Sequence, residues 1–295
     1  MTISTDAWLT VIALFASGAC LAEKPLGQAP TYTVRQLSDI PNAEAVTRRL
    51  WVPGIDDGYV PQGLTFLDGA LFVSSYRTTD RAENKGPCRL YQLDAVSGAT
   101  LGWLDLPASC GHAGGVAKGR AGHIIVADTA VIFEITLSGV SAPDIGRVVR
   151  SVQLTGLSKG SFAAGSADGL WLGTYSRDAG AKIYKFSWDA LDKPVMSEVD
   201  ATAAVPLPTL AQGAAFDQAG RLWVMRSNSK LGELVRLDLV SGTVQERFAM
   251  PIGSEDISFE PSGALWGLSE AGSRRWNAWP VYYPVIFRLD VSRLK

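Results

Sequence analysis

The hydrophobic and polar positions of this chain follow one pattern that occurs five times. Each copy reads as a short apolar run, a polar turn, a second apolar run, a loop and a third run. Alternating apolar and polar residues with Gly-, Asp- and Ser-rich turns between the runs predict short β-strands joined by hairpins. The copies start near Gln62, Gly114, Ser161, Gln212 and Glu255. Repeats of this length built from short strands are typical of β-propeller blades.

We therefore expect an all-β protein, a five-bladed β-propeller closed by an N-terminal strand, with a six-bladed arrangement as the alternative. The last copy is one strand short because it ends after Val285–Val291, and the isolated apolar run Arg48–Ile55 (48–55) fits the missing place. Pairing the two would join the termini and remove an open sheet edge. The blades are expected near 62–107, 112–155, 161–205, 212–250 and 255–292.

One aromatic position recurs on the second strand of the repeat. It is held by Trp171, Trp223 and Trp266, with Phe72 at the same place in the first copy. A ligand cage would need these rings to meet at one point, whereas equivalent sites in successive blades are spread around the ring. We therefore interpret them as packing between blades.

Composition adds two limits. The chain has 295 residues, of which 47% are hydrophobic, and its formal net charge is −2. That charge gives no general attraction to nucleic acid or to anionic membranes, so we expect no nucleic-acid partner. Residues 48–295 are long enough for one propeller domain, and 23–47 form a lead-in segment without a strong period.

The N-terminus resembles a secretion signal. Residues 8–19 form an apolar segment too short to span a bilayer, and small residues follow it. The segment departs from the usual pattern because no Lys or Arg precedes it. We predict a signal peptide over 1–22, no transmembrane segment in the mature chain, and a periplasmic or extracellular location. Lipidation of Cys20 is left open.

Two cysteines remain after such a cleavage. Cys88 and Cys110 fall in neighbouring loops of the first and second copies. In an oxidising compartment, two such thiols are better explained as a disulfide than as metal ligands or a nucleophile.

The polar candidates for chemistry are predicted to meet at one mouth of the central channel. The first strand of each blade lines this channel, and the ends of the second strands reach the same face, where Tyr76 and Glu270 also fall. The residues predicted to bind a ligand there are Gln62, Gln212, Ser161, Arg77, Arg177, Arg226 and Asp128. Arginine forks suit carboxylate or phosphate groups, so we expect a small anionic or polar ligand. A structural plug of polar groups and water, with solvated arginines, is the alternative.

Within that set, His112 is the candidate general base, with Glu255 or Asp128 as its orienting carboxylate. The reaction class would be hydrolysis, as in a lactonase or esterase, or elimination by a lyase. Glu255 and Asp256 are also candidate ligands of a Ca²⁺ ion, because hard cations take carboxylate oxygens. The chain has only 2 histidines, which disfavours a zinc site.

A non-catalytic interaction module is the competing interpretation. The long loop 271–283 carries Arg274 and Arg275 beside Trp276, Trp279, Tyr282 and Tyr283. Aromatic residues and arginine are common anchors of protein interfaces, so this loop is a candidate contact for a protein partner or a lid over the mouth.

Three blade starts carry a family resemblance. Pro61-Gln62-Gly63, the run 111–115 (Gly-His-Ala-Gly-Gly) and Ser254-Glu255-Asp256 resemble the starts found in secreted bacterial five-bladed β-propellers of largely unassigned function. The resemblance covers nearly all of 59–294. It implies the five-bladed fold and leaves the activity open.

Two further groups are more distantly similar. The Gln-Gly-Leu start at Gln62 resembles the blade starts of plant-type glutaminyl cyclase propellers, which implies acidic starts in the third and fourth blades; here these are Ser161 and Gln212. The chain is also similar to gluconolactonase-type propellers, which are six-bladed and use a carboxylate-and-Asn metal site. Neither a sixth blade nor that ligand set is found in the sequence.

Overall fold

The computed structural model describes residues 24–138 and 144–295. The predicted signal peptide, 1–22, lies outside the described residues. Short strands account for nearly all of the regular structure, and the helices are single 3₁₀ turns at Ala43–Ala45, Ile55–Asp57, Arg120–Gly122, Trp188–Asp192, Glu198–Asp200 and Val291–Arg293. Within this part of the chain, no helix is long and apolar enough to cross a membrane.

The strands form five antiparallel sheets that follow one another along the chain as the blades of a propeller. Blade 1 consists of β2 (Tyr59–Leu67), β3 (Ala70–Arg77), β4 (Cys88–Asp94) and β5 (Thr100–Asp105). Blade 2 consists of β6 (Gly115–Lys118), β7 (Ile124–Asp128), β8 (Val131–Leu137) and β9 (Gly146–Leu154). Blade 3 consists of β10 (Phe162–Ser166), β11 (Gly169–Gly173), β12 (Lys182–Phe186) and β14 (Ala203–Pro206).

Blade 4 consists of β15 (Ala211–Phe216), β16 (Leu222–Ser227), β17 (Gly232–Leu237) and β18 (Val244–Ala249). Blade 5 contains β19 (Ser254–Phe259), β20 (Leu265–Ser269) and β21 (Val285–Leu289), and its outer strand is β1 (Val46–Trp51). The predicted five-bladed fold with an N-terminal closing strand is therefore confirmed. One further strand, β13 (Val195–Met196), leaves blade 3 and pairs in parallel with β9 of blade 2.

The inner strands of the blades form a closed ring. Each of β2, β6, β10, β15 and β19 contacts the next, and β19 contacts β2. Such contact requires residues without a side chain near the axis: a Cβ on Gly115 would lie 2.4 Å from the backbone nitrogen of Ala163, and one on Gly213 would lie 2.4 Å from the Cα of Asp256. Glycine at these positions is thus a requirement of the narrow channel.

The core lies between adjacent blades. Trp266 packs with Leu64 of blade 1, and Trp223 packs with Phe259 of blade 5. Trp171 lies against Phe216 of blade 4, with ring centroids 5.4 Å apart. The tryptophans at the repeated position therefore pack blades 3, 4 and 5 against the blades that follow them, as predicted.

The predicted disulfide is also confirmed. Cys88 and Cys110 are bonded, with 5.9 Å between their Cα atoms. The bond joins the first residue of β4 to the loop that leads into β6, so it connects blade 1 with blade 2.

Candidate functional site

Two acidic side chains meet at one mouth of the channel. Glu255 is the second residue of β19, and Glu270 follows the last residue of β20. The two strands are antiparallel and Ser254 pairs with Ser269, so the register brings the neighbouring glutamates together. Only 3% of Glu255 and 8% of Glu270 is exposed, and each carboxyl group lies close enough to affect the pKa of the other.

Backbone bulges position this pair and its neighbours. The pairing register of the inner strand shifts at Gln62 in β2, at Gln212 in β15 and beside Glu255 in β19. A bulge re-aims a side chain relative to the strict alternation of a strand and is frequent beside active sites. Three blades thus use the same local irregularity to direct a polar side chain to the mouth.

The two glutamines hold the pair from opposite sides. The Gln62 amide donates to Glu270 Oε2 at 3.1 Å, and the Gln212 amide donates to Glu255 Oε1 at 3.3 Å. These contacts join blades 1, 4 and 5. Both glutamines therefore bind the carboxyl pair directly. Their predicted role was to bind a ligand.

Burial determines the charge of the pair. Burial away from water raises the pKa of Glu270 to about 7. The charge of Arg275 and the hydrogen bond from Gln62 act in the opposite direction and lower this pKa. Burial, with the nearby Glu270 and Asp256 carboxyl groups, raises the pKa of Glu255 well above its usual range. Two adjacent buried carboxylates repel each other, and this repulsion adds to burial in favouring the protonated form.

Arg275 connects this pair to an aromatic stack. Its guanidinium donates to the Tyr76 hydroxyl and, at 3.3 Å, to the backbone oxygen of Arg81. The Tyr76 ring is stacked on the His112 imidazole, with centroids 4.6 Å apart. Only 6% of Arg275 is exposed, so its charge acts in a poorly solvated region beside Glu270.

His112 differs from the prediction in its partner. Its Nδ1 lies 2.6 Å from the backbone oxygen of Asn84, so Nδ1 carries the hydrogen and Nε2 is left as an acceptor. Desolvation lowers the pKa of His112 and favours this neutral form. Asp128 accepts instead from the backbone amides of Gly111, His112 and Ala113. A main-chain carbonyl therefore replaces the expected orienting carboxylate, and Asp128 shapes the backbone.

The predicted arginine set is spread over separate blades. Arg77 donates to the backbone oxygen of Asp57 at 2.9 Å, and Arg226 binds Glu233 and the backbone oxygen of Thr209. Arg177 is exposed on the loop after β11. Ser161 and Gln212 are partly exposed, and they mark the side of the mouth that is open to solvent.

Asp256, predicted as a Ca²⁺ ligand, is bonded to backbone amides of three blades. Asp256 accepts from the backbone amides of Leu64 and Val116 through Oδ2 and from that of Ile257 through Oδ1. Its carboxylate thereby ties the inner strands of blades 1 and 2 to blade 5, and Asp128 is similarly engaged with amides. Over 24–138 and 144–295, no group of three or more His, Cys, Asp and Glu side chains is arranged to hold a metal ion.

The loop 271–283, which we call the lid, covers the acidic pair. It supplies Arg275, and its Trp279 ring lies against the turn at Gly253, just before β19. Trp276 and Trp279 are stacked at 4.7 Å, while Tyr282 and Tyr283 are buried. The lid is therefore packed largely on the protein itself.

The lead-in segment fastens this lid. We call residues 24–40 the strap. The Tyr32 hydroxyl donates to the backbone oxygen of Gly272, Arg35 donates to that of Pro280 at 3.1 Å, and the Ser38 amide donates to that of Tyr282 at 2.9 Å. The strap thus holds the lid closed over the mouth.

Two buried donors of the lid are unpaired in the described part of the chain. The Nε of Arg275 and the indole nitrogen of Trp276 are buried and have no hydrogen-bond partner among the described residues. The Trp276 indole lies toward Glu270 without reaching hydrogen-bond geometry, although its proximity lowers the pKa of Glu270. Buried donors of this kind cost about 1–3 kcal/mol each when unpaired, so a bound acceptor would stabilise them.

Sequence reasoning placed Glu270 at the mouth but did not pair it with Glu255, and it counted Arg275 only as a surface cation. The signal that identifies the pair is the antiparallel hairpin: the start of an inner strand must face the end of the second strand in the same blade. The burial of Arg275 depends on the path of the lid, which has no periodic pattern.

Comparisons with known proteins support the fold. No protein-family model matches this chain, and no curated protein matches its sequence. Glutaminyl cyclase from Myxococcus xanthus has a similar structure, with a TM-score of 0.55 and 16% identity over 83% of this chain and 94% of that one.

The aldose sugar dehydrogenase from Streptomyces coelicolor, solved with bound PQQ, has a TM-score of 0.50 and 17% identity over 85% of this chain and 98% of that one. A calcium-binding protein, regucalcin, from Agrobacterium tumefaciens has a TM-score of 0.45 and 15% identity over 79% and 93%. At these identities the similarity shows a distant propeller relationship and no activity.

Proposed function

We propose that this protein binds a small polar molecule at the covered channel mouth and hydrolyses it by proton transfer through Glu255 and Glu270. The observation that carries the proposal is the buried pair of adjacent carboxyl groups at the channel mouth. Blade packing does not require two acids at this place, because apolar residues join the blades elsewhere. Two carboxyl groups whose pKa values differ offer an acid and a base in one site.

The pair supports hydrolysis of a small ester, lactone or amide. Ionised Glu270 removes a proton from water as its oxygen attacks the carbonyl carbon, and protonated Glu255 gives its proton to the leaving oxygen or nitrogen. The C–O or C–N bond breaks, and transfer of the proton from Glu270 to Glu255 restores the pair. The unpaired N–H groups of Arg275 and Trp276 would donate hydrogen bonds to the carbonyl oxygen of the substrate.

The charge of the site favours a neutral substrate. Glu255, Asp256 and Glu270 are the acidic groups near the mouth, and Arg275 is the buried cation that faces Glu270. An anionic ligand would approach a carboxyl-rich centre, and Arg77 and Arg226 are engaged with other partners. Of the two predicted kinds of ligand, anionic and polar, we therefore favour a neutral polar molecule. It would enter the site from the side of Gln212 and Ser161.

An exported location forms part of the proposal. The Cys88–Cys110 bond is of the kind that persists in oxidising compartments, which include the bacterial periplasm and the extracellular space. The glutaminyl cyclase and sugar dehydrogenase structures add that this fold hosts catalytic sites, while the reaction proposed here rests on the acidic pair alone.

The test replaces each acid by its amide. Glu255→Gln and Glu270→Gln keep the size of the side chain but remove the titratable carboxyl group, so hydrolysis of a panel of small esters, lactones and amides should fall by about 10²–10⁴-fold. Glu83→Gln, an exposed acid on the loop after β3, is the matched control and should retain the wild-type rate. Wild-type turnover in Glu270→Gln, with folding checked by circular dichroism, would refute the proposal.

A further inference from the structure

A second site lies apart from the acidic pair, between the strap and blade 5. The strap encloses a cavity of about 630 Å³, which we call the strap cavity, against β1 and the end of the lid. Its walls include Trp51, Leu37 and Ile40 as apolar surfaces, with Tyr282 and Tyr283 at the lid side. The cavity is large enough for a small organic molecule.

One buried cation faces this cavity. Arg49 lies in β1 and only 8% of it is exposed. Its Nε donates to the Tyr283 hydroxyl at 3.0 Å. Its two terminal nitrogens have no hydrogen-bond partner in the described part of the chain, and they are not enclosed by protein, so they open on the cavity that Arg49 lines.

Arg49 forms no ion pair with any residue in 24–138 or 144–295. Lys24 and Arg35 line the same cavity, whereas Asp39 is the acidic residue among the lining side chains and forms no ion pair with Arg49. Arg35 is bound to backbone oxygens of the lid and lies over the Tyr282 ring. A buried guanidinium without a counter-charge is costly, and a bound anion would remove that cost.

We propose that the strap cavity binds a small organic carboxylate through the Arg49 guanidinium. The free edge of the guanidinium presents two parallel N–H donors, which match the two oxygens of a carboxylate. The apolar walls at Trp51, Leu37 and Ile40 suit a ring or chain attached to that carboxylate. This site is separate from the proposed hydrolytic centre and does not depend on it.

Benzoate is a suitable probe because it joins a planar carboxylate to an apolar ring. The full chain is titrated with benzoate by calorimetry and thermal shift, with inorganic phosphate and chloride at equal ionic strength as the comparison anions. Benzoate should raise the melting temperature more than chloride does. Arg49→Met, which keeps the length of the side chain but removes its charge, should weaken benzoate binding by at least about tenfold.

The matched control is Arg48→Met. Arg48 is the neighbouring residue of β1, its guanidinium binds the backbone oxygen of Ala95, and this variant should bind benzoate like the wild type. Arg49→Lys keeps the charge but removes the planar guanidinium, so this variant should also bind benzoate more weakly than the wild type. If Arg49→Met does not fold, the benzoate affinity of Arg49→Lys tests the site instead. Equal benzoate affinity in the Arg49 variants and wild type, or no response beyond chloride, overturns the site. Arg49-dependent phosphate binding tighter than that of benzoate overturns the carboxylate assignment.

Discussion

Glu255 and Glu270 lie side by side in the interior of the protein, at the paired ends of two adjacent antiparallel strands. Each is also held by an amide from another blade, Gln212 for Glu255 and Gln62 for Glu270. The pair is therefore coupled to the assembly of the whole ring, and its protonation must influence stability as well as any chemistry.

The stability of the fold should fall as the pH rises from about 4.5 to 7. The pKa of Glu270 is raised from 4.5 to about 7 in the folded protein, so in this window the unfolded chain has released a proton that the folded chain retains. Glu270 should account for roughly 3 kcal/mol of this loss. Urea unfolding at several pH values would measure it. Glu255, whose pKa is also raised, contributes in the same window, so Glu270→Gln should reduce the slope without abolishing it, and an unchanged slope would contradict the assigned shift.

Glu260 should give the opposite dependence at lower pH. Hydrogen bonds from Arg288, Ser262 and Trp266 lower the pKa of Glu260 to about 2, against the effect of partial burial. Its contribution is present above pH 4.5 and is lost as the pH falls toward 2. Glu260→Gln should cost about 2 kcal/mol at pH 7. Denaturant unfolding at pH 7 and pH 3 tests this, since the variant and wild type should differ less at the lower pH.

Asp256 should be more important for stability than for turnover. Asp256→Ala would leave the backbone amides of Leu64, Val116 and Ile257 buried without an acceptor, at about 1–3 kcal/mol each. We expect a loss of at least about 3 kcal/mol in unfolding free energy. The reference is Asp57→Ala, an exposed acid outside the ring, and a comparably small effect in both variants would contradict the role of Asp256.

The disulfide should stabilise the junction of blades 1 and 2. Replacing Cys88 and Cys110 together by alanine opens a loop of 22 residues and should lower the free energy of unfolding by about 3 kcal/mol. Chemical denaturation of the oxidised protein and the double variant gives the difference. Reduction of the wild type should produce a similar loss, whereas reducing agent should leave the double variant unaffected.

Weakening the strap should loosen the lid. Tyr32→Phe removes the bond to Gly272, and Arg35→Ala removes the bonds to the lid backbone. Hydrogen exchange in 271–283 should accelerate in the double variant, while exchange in the inner strands stays slow. Val34→Ala, at a position that is 95% exposed, serves as the control and should exchange like the wild type. Unchanged exchange in the double variant would mean that the lid is held by its own packing.

The fold could be predicted because it depends on repetition. Five similar patterns required five similar sheets, and the missing strand of the last copy required a partner such as β1. The brief strand β13 was not predictable in the same way: Val195–Met196 is too short to show alternation, and its partner in blade 2 is far along the chain.

The candidate site could be predicted only in part. Gln62, Gln212 and Glu255 were located at the mouth because they begin inner strands. Their roles depend on the β-bulges beside them, because a bulge changes the face of the sheet on which a side chain lies. The contact of His112 with Asn84 depends on the path of a loop, and no spacing in the sequence records it.

The pairing of β1 with β21 also imposes an order on biosynthesis. Val46 lies opposite Leu289, so the strand that completes blade 5 is made long before its partner. During elongation β1 has no sheet to join, and the ring remains open until β21 has left the ribosome. Closure of the propeller is consequently the last step in the assembly of its five blades, and until then the open ring exposes unpaired strand edges.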